Sequence, residues 1–135
     1  MVGVLSHVLE HVPEPVSLLR EAARACRAVI LEVPLERNLS GRRAPKREVS
    51  EAIGHVQSLD RELVKQLVAD AGLRIEADLL DPLPAEVHTF FADTPAGRAR
   101  GLAKAAARRS LFRASSSLAE RTFTLHYCCA CESLY

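Results

Sequence analysis

Residues 2–34 read VGVLSHVLEHVPEPVSLLREAARACRAVILEVP, and this stretch decides the fold. It opens on a short apolar run, residues 2–5. It closes on a second, residues 28–31, extended by Glu32 and Val33. Neither run alternates, and continuous β-branched runs of this length suit strands buried on both faces, as in a parallel sheet. Between them Val16, Leu19, Ala23 and Cys26 recur at helical spacing, with Leu18 and Ala22 beside them. Pro15 fits the first helical turn, where no backbone donor is needed. Strand, helix and strand in about 30 residues make a βαβ unit with a right-handed crossover.

Downstream, residues 37–47 carry Arg37, Arg42, Arg43, Lys46 and Arg47 with no acid, plus Gly41 and Pro45. We read 37–53 as a basic loop, long enough to suggest a functional one. A second helix is expected over about residues 58–71, with Ser58 as its cap, Asp60 and Glu62 in its first turn and Gly72 as its stop. Residues 73–79 alternate as a half-exposed strand. Residues 85–118 read as a helical insertion before the last strand, although Gly97 and Gly101 weaken its helical pattern. Residues 123–132 alternate again and are apolar enough to be interior. The expected order is β-α-β-loop-α-β-α-β.

The 135 residues make one domain at most. Apolar residues are 48%, charged residues 26% and the formal net charge +1, which excludes a histone-like binder or an acidic tail. Aromatics are 4%, too few for a stacking platform on single-stranded nucleic acid. No run approaches the roughly 18 apolar residues of a membrane span. No signal peptide is expected. Cys128, Cys129 and Cys131 crowd together while Cys26 stands apart, a pattern of small buried hydrophobes in a reducing cytoplasm rather than a disulfide scaffold.

In an open α/β sheet, ligands bind beyond the carboxyl ends of the strands. Ser6, His7, Glu10 and His11 follow the first strand, and Glu32, Pro34 and Glu36 end the second. The polar residues of the first third therefore gather on one rim. His7, Glu10 and His11 also spell H-x-x-E-H, a zinc peptidase motif. That chemistry needs a continuous helix to bring i and i+4 onto one face, and Pro13 and Pro15 leave no room for one. No metal site is expected. His88 and His126 read as partly buried structural histidines.

The run SHVLEHV at 6–12, then PEP at 13–15 and LLREA at 18–22, resembles the fourth-strand region of class I S-adenosylmethionine-dependent methyltransferases, in the subgroup acting on small molecules and quinones. VILEVP at 29–34 resembles that family's fifth strand. GHV at 54–56 and ADAGL at 69–73 resemble the entry and exit of its next helix. Motifs cover residues 2–80, and pattern alone covers 120–132. The resemblance implies an α/β, partial Rossmann-like sheet with the family's strands four to seven, in a three-layer αβα arrangement. Residues 1–135 would be the C-terminal portion of such a domain.

The resemblance further implies S-adenosylmethionine as cofactor, with Ser6 and His7 lining its methionine end. Glu10 and Glu32 would lie on the substrate side, and His11 and His55 would be the catalytic candidates. The acceptor would be a small molecule. The family's Gly-rich loop and ribose-binding acid have no counterpart in these residues, and no G-x-G occurs. The chain by itself is therefore expected to be inactive. The alternative is a non-catalytic α/β interaction module, and an unpaired edge near residues 2–5 would invite a second chain or self-association.

Overall fold

The computed structural model describes all 135 residues, 1–135. The elements run β1 (Val2–Ser6), a single 3-10 turn (Leu9–His11), α1 (Pro15–Ala25), β2 (Ala28–Leu35), α2 (Ala44–Ala52), α3 (Arg61–Asp70), β3 (Leu73–Asp81), α4 (Ala85–Thr89), α5 (Pro95–Ala114), α6 (Ser116–Thr122) and β4 (Leu125–Ser133). One sheet has the order β1-β2-β4-β3. β1 and β2 are parallel, as the βαβ reading requires. β4 inserts between β2 and β3 and runs antiparallel to both.

The core lies on one face of this sheet. Val29, Leu31 and Val33 of β2 meet Tyr127, Cys129 and Cys131 of β4 there, under Leu19 and Ala23 of α1 and Val64 and Val68 of α3. Burying these side chains supplies the driving force, at about 1.5–3 kcal/mol for each large aliphatic. The opposite face is bare: Val4 is 67% exposed, Ile30 44% and Leu79 57%. This chain thus supplies the sheet and one helical layer of the expected arrangement. The apolar runs of β1 and β2 suggested burial on both faces, but only the face carrying Val29, Leu31 and Val33 is covered. β2 therefore alternates in burial although its sequence does not alternate in polarity.

Several boundaries shift for local reasons. The second helix is capped by Asp60, not Ser58: its carboxylate accepts from the Leu63 backbone N–H at 2.8 Å. The basic segment is not all loop, because Pro45 opens α2 within it. β4 begins at Leu125 and not Phe123, which serves as the C-cap of α6. Between β3 and β4 stand three helices, α4, α5 and α6, the last ending at Thr122. Gly101 sits inside α5 because α4 crosses it closely: a Cβ there would lie 2.5 Å from the His88 carbonyl oxygen. Cys129 and Cys131 are buried, and all four cysteines are free thiols. No helix is long and apolar enough to cross a membrane.

Candidate functional site

The carboxyl ends of β1 and β2 carry the polar cluster that the sequence placed there. β1 ends in a sharp change of direction. His7 takes φ +53°, a left-handed conformation uncommon outside glycine, while its N–H still donates to the Glu32 carbonyl at 3.0 Å. The chain then folds into the 3-10 turn instead of a helix, as the flanking prolines dictate. That turn is stitched to residues 54–57. Gln57 Nε2 donates to the carbonyls of Leu9 and Val12, both at 2.8 Å. The Val56 N–H donates to the Glu10 carbonyl at 2.9 Å. This stitching brings His55, distant in sequence, onto the rim.

The side chains form two groups. In the first, Ser6 Oγ donates to Glu32 Oε2 at 2.7 Å and His126 Nδ1 lies 3.0 Å from Glu32 Oε1. The His7 and His126 rings meet edge-on at 4.7 Å. The Ser6 hydrogen bond, and then that of His126, hold the Glu32 carboxyl below its ordinary range. In the second group, His11 Nδ1 lies 2.9 Å from the Gly54 carbonyl and His55 Nδ1 lies 2.8 Å from Glu36 Oε2. Gly54 takes φ +88°, which glycine tolerates freely. Ser50 Oγ also donates to Glu36, at 2.8 Å. The two imidazoles meet edge-on at 4.8 Å.

Glu10 joins the groups from below. Its side chain is 1% exposed, so it lies under the rim and does not reach an open surface. His7 Nδ1 approaches Glu10 Oε1 at 3.2 Å, but neither carboxylate oxygen has a partner in hydrogen-bonding geometry. His7 and His11 belong to different groups, so the H-x-x-E-H spelling does not converge as a peptidase site. A polar cleft of about 220 Å³ opens beside His55, lined by Glu36, Arg47, Ser50 and Gln57 among others. A larger cleft of about 510 Å³ lies at the β3 edge, by Val68, Leu73 and Leu134, and holds none of these histidines.

One residue of the rim, His126, is not legible in the local sequence, and neither is the pairing of Glu36 with His55. His126 stands opposite Pro34 through the antiparallel register of β4, and nothing in the local sequence shows that register. Glu36 was visible past β2, but its bond to His55 spans 19 positions. Arg108 and Lys104 of α5 come close to Lys46 of the basic segment and to His88. Burial, and then the charges of Arg108 and Lys104, hold both Lys46 and His88 below their ordinary values. Arg108 is itself buried, donating to the Thr124 carbonyl and stacking 4.7 Å over the Phe123 ring.

A pH prediction follows from Glu32. Its pKa is depressed in the fold, so its contribution is present above the unfolded value of about 4.3 and is lost as pH falls through the folded value. The stability advantage of the native chain over Glu32→Gln should therefore shrink as pH falls below about 4.3. Urea titrations of both proteins across that window check this; a pH-independent difference contradicts it.

No family model matches the chain, and no curated protein matches it by sequence. Among solved structures, the chain is similar to a protein named as a candidate sarcosine dimethylglycine methyltransferase, from Galdieria sulphuraria. The TM-score is 0.57 at 12% identity, over 97% of this chain and 52% of that one. The chain spans about half the length of that protein. The likeness is one of fold: these residues form a partial Rossmann-like sheet of the methyltransferase type.

Proposed function

We propose that the chain is the acceptor-side part of an S-adenosylmethionine-dependent methyltransferase acting on a small molecule. The observation that carries this reading is the sheet order β1-β2-β4-β3 with its inserted antiparallel strand, superposable over 97% of the chain on a methyltransferase-type structure. The rim supports it, because its polar groups lie where open α/β sheets bind ligands. The residues present do not by themselves fit the cofactor. Ser6 is bonded to Glu32, and Gly3 is packed against Cys26, where a Cβ would meet Sγ at 3.1 Å. No glycine-lined cradle stands at the rim to admit the cofactor's backbone contacts. Further strands are needed to complete a pocket, and β1 leaves one edge unpaired to receive them.

Within this reading, His11 and His55 are the basic groups available to an acceptor. Each holds Nδ1 against an oxygen, which leaves the Nε2 lone pair to take a hydroxyl proton. Methyl transfer otherwise asks chiefly for alignment of nucleophile and methyl group. The test is calorimetry with S-adenosylhomocysteine. The isolated chain should show no micromolar binding, while a longer or two-chain form carrying a Gly-rich loop should bind. Micromolar binding by the isolated chain overturns the incomplete-pocket reading, and no binding by the completed form overturns the methyltransferase reading.

A second reading, a non-catalytic module, is favoured by the bare face of Val4, Ile30 and Leu79. Apolar surface of this kind marks association. The two readings separate on the completed form, which binds the cofactor product only in the first.

A further inference from the structure

The second rim group has a feature that a simple hydrogen-bond network does not explain. Glu10 is a carboxyl group 1% exposed; His7 Nδ1 stands 3.2 Å from its Oε1, but neither oxygen has a partner in hydrogen-bonding geometry. Burying a carboxyl group whose oxygens lack hydrogen bonds is costly, and native folds retain such a group where something else satisfies it. The Glu32 group differs: both of its oxygens already have partners, Ser6 and His126, so it is complete as it stands.

The neighbours of Glu10 are matched to one kind of ligand. His11 Nδ1 faces the Gly54 carbonyl, which only accepts, so Nδ1 carries the proton and Nε2 keeps its lone pair. His55 Nδ1 faces the Glu36 carboxylate, with the same consequence. Metal-bound histidines are held this way: one ring nitrogen donates to a carbonyl or carboxylate, and the other ligates. One potential ligand atom from each of Glu10, His11 and His55 lies within 4.8 Å of the other two. Ligands at about 2.1 Å from a tetrahedral zinc stand ~3.4 Å apart, so the three side chains would draw together on binding an ion. His11 is exposed and opens the site to solvent.

We infer that Glu10, His11 and His55 form a site for a divalent transition-metal ion, with Glu36 and the Gly54 carbonyl as positioning groups. Two imidazoles and one carboxylate select zinc, cobalt or manganese over magnesium, which prefers oxygen ligands alone. Three protein ligands leave at least one position for water or for an oxygen of a small molecule in the adjoining cleft. The inference revises the sequence expectation of no metal. It stands on these three side chains and their anchors, not on the methyl-transfer reading, and a bound ion would occupy the Nε2 lone pairs that the methyl-transfer reading gives to proton transfer.

The test uses the purified 135-residue chain, stripped with chelator and then titrated separately with zinc, cobalt and magnesium. Zinc should bind at one equivalent and, at ~100-fold excess over its Kd, raise Tm by about 5–10 °C. Magnesium should not. Cobalt should give d–d absorption of a low-symmetry nitrogen and oxygen site, without a thiolate charge-transfer band. Glu10→Gln supplies the discriminating variant: it keeps the size of the side chain, removes the ligating carboxylate, and should abolish the zinc-dependent rise. His55→Gln should abolish the rise as well, whereas His126→Gln should leave it intact. A missing zinc shift in the native chain, a shift that survives both Glu10→Gln and His55→Gln, or a thiolate band would each overturn the inference. Cofactor binding enters none of these measurements, so the inference and the proposed function fail independently.

Discussion

Leu31→Ala should lower the unfolding free energy by roughly 2–5 kcal/mol, the range for a buried leucine in a core that cannot collapse around the gap. Leu31 is fully buried in the middle of β2, between Leu5 of β1 and Cys129 of β4 in register. Chains of this size hold only about 5–15 kcal/mol in all. With one sheet face bare, this one is expected near the lower end, so the substitution removes much of what it has. The neighbouring Ile30 points to the other face and is 44% exposed, so Ile30→Ala should cost under about 1 kcal/mol. Urea unfolding of the pair reads the contrast directly. Equal losses would mean that the second face is covered in solution, by another copy or by other strands.

Asn38→Ala should cost roughly 2–3 kcal/mol, because it strips partners from buried backbone groups. Asn38 is 3% exposed and lies three residues past the end of β2. Its Nδ2 donates to the Leu35 carbonyl at 2.6 Å and to Thr124 Oγ1 at 3.2 Å, and its Oδ1 accepts from the Gly41 N–H at 2.8 Å. One amide thus ties the end of β2 to the start of the basic segment and to the entry of β4. Hydrogen exchange offers the specific readout: the Gly41 amide should lose protection in the variant. The backbone bonds of Leu39 and Ser40 to the Arg121 and Thr122 carbonyls also hold this segment. A cost below about 0.5 kcal/mol would show that these suffice.

Composition predicts an exposed basic loop over this segment, whereas two of its arginines are paired. Arg37 and Arg47 have carboxylate partners in Asp60 and Glu51, at 3.1 and 3.7 Å. The composition of residues 37–47 shows charge without acids, because the acids that answer it lie elsewhere in the chain. Asp60 lies 23 positions from Arg37, so only folding brings the pair together. Local sequence reports what a segment carries, not what it meets.

The sequence by itself determined the βαβ unit, the α3 and β3 pair, the apolar last strand and the collection of Ser6, His7, His11 and Glu32 on one rim, although nothing in it shows that Glu10 is buried beneath that rim. These follow from periodicity and chain order, since strand ends and turn residues are local properties. Only the tertiary structure decided the rest. It placed β4 between β2 and β3, so that His126 reached Glu32. It left one face of the sheet bare. It folded residues 54–57 against the 3-10 turn, so that His55 stands beside His11 above a buried Glu10. The placing of β4 and the folding of residues 54–57 depend on contacts across 43 or more positions, where side-chain chemistry is fixed by register and packing and not by the residues next in line.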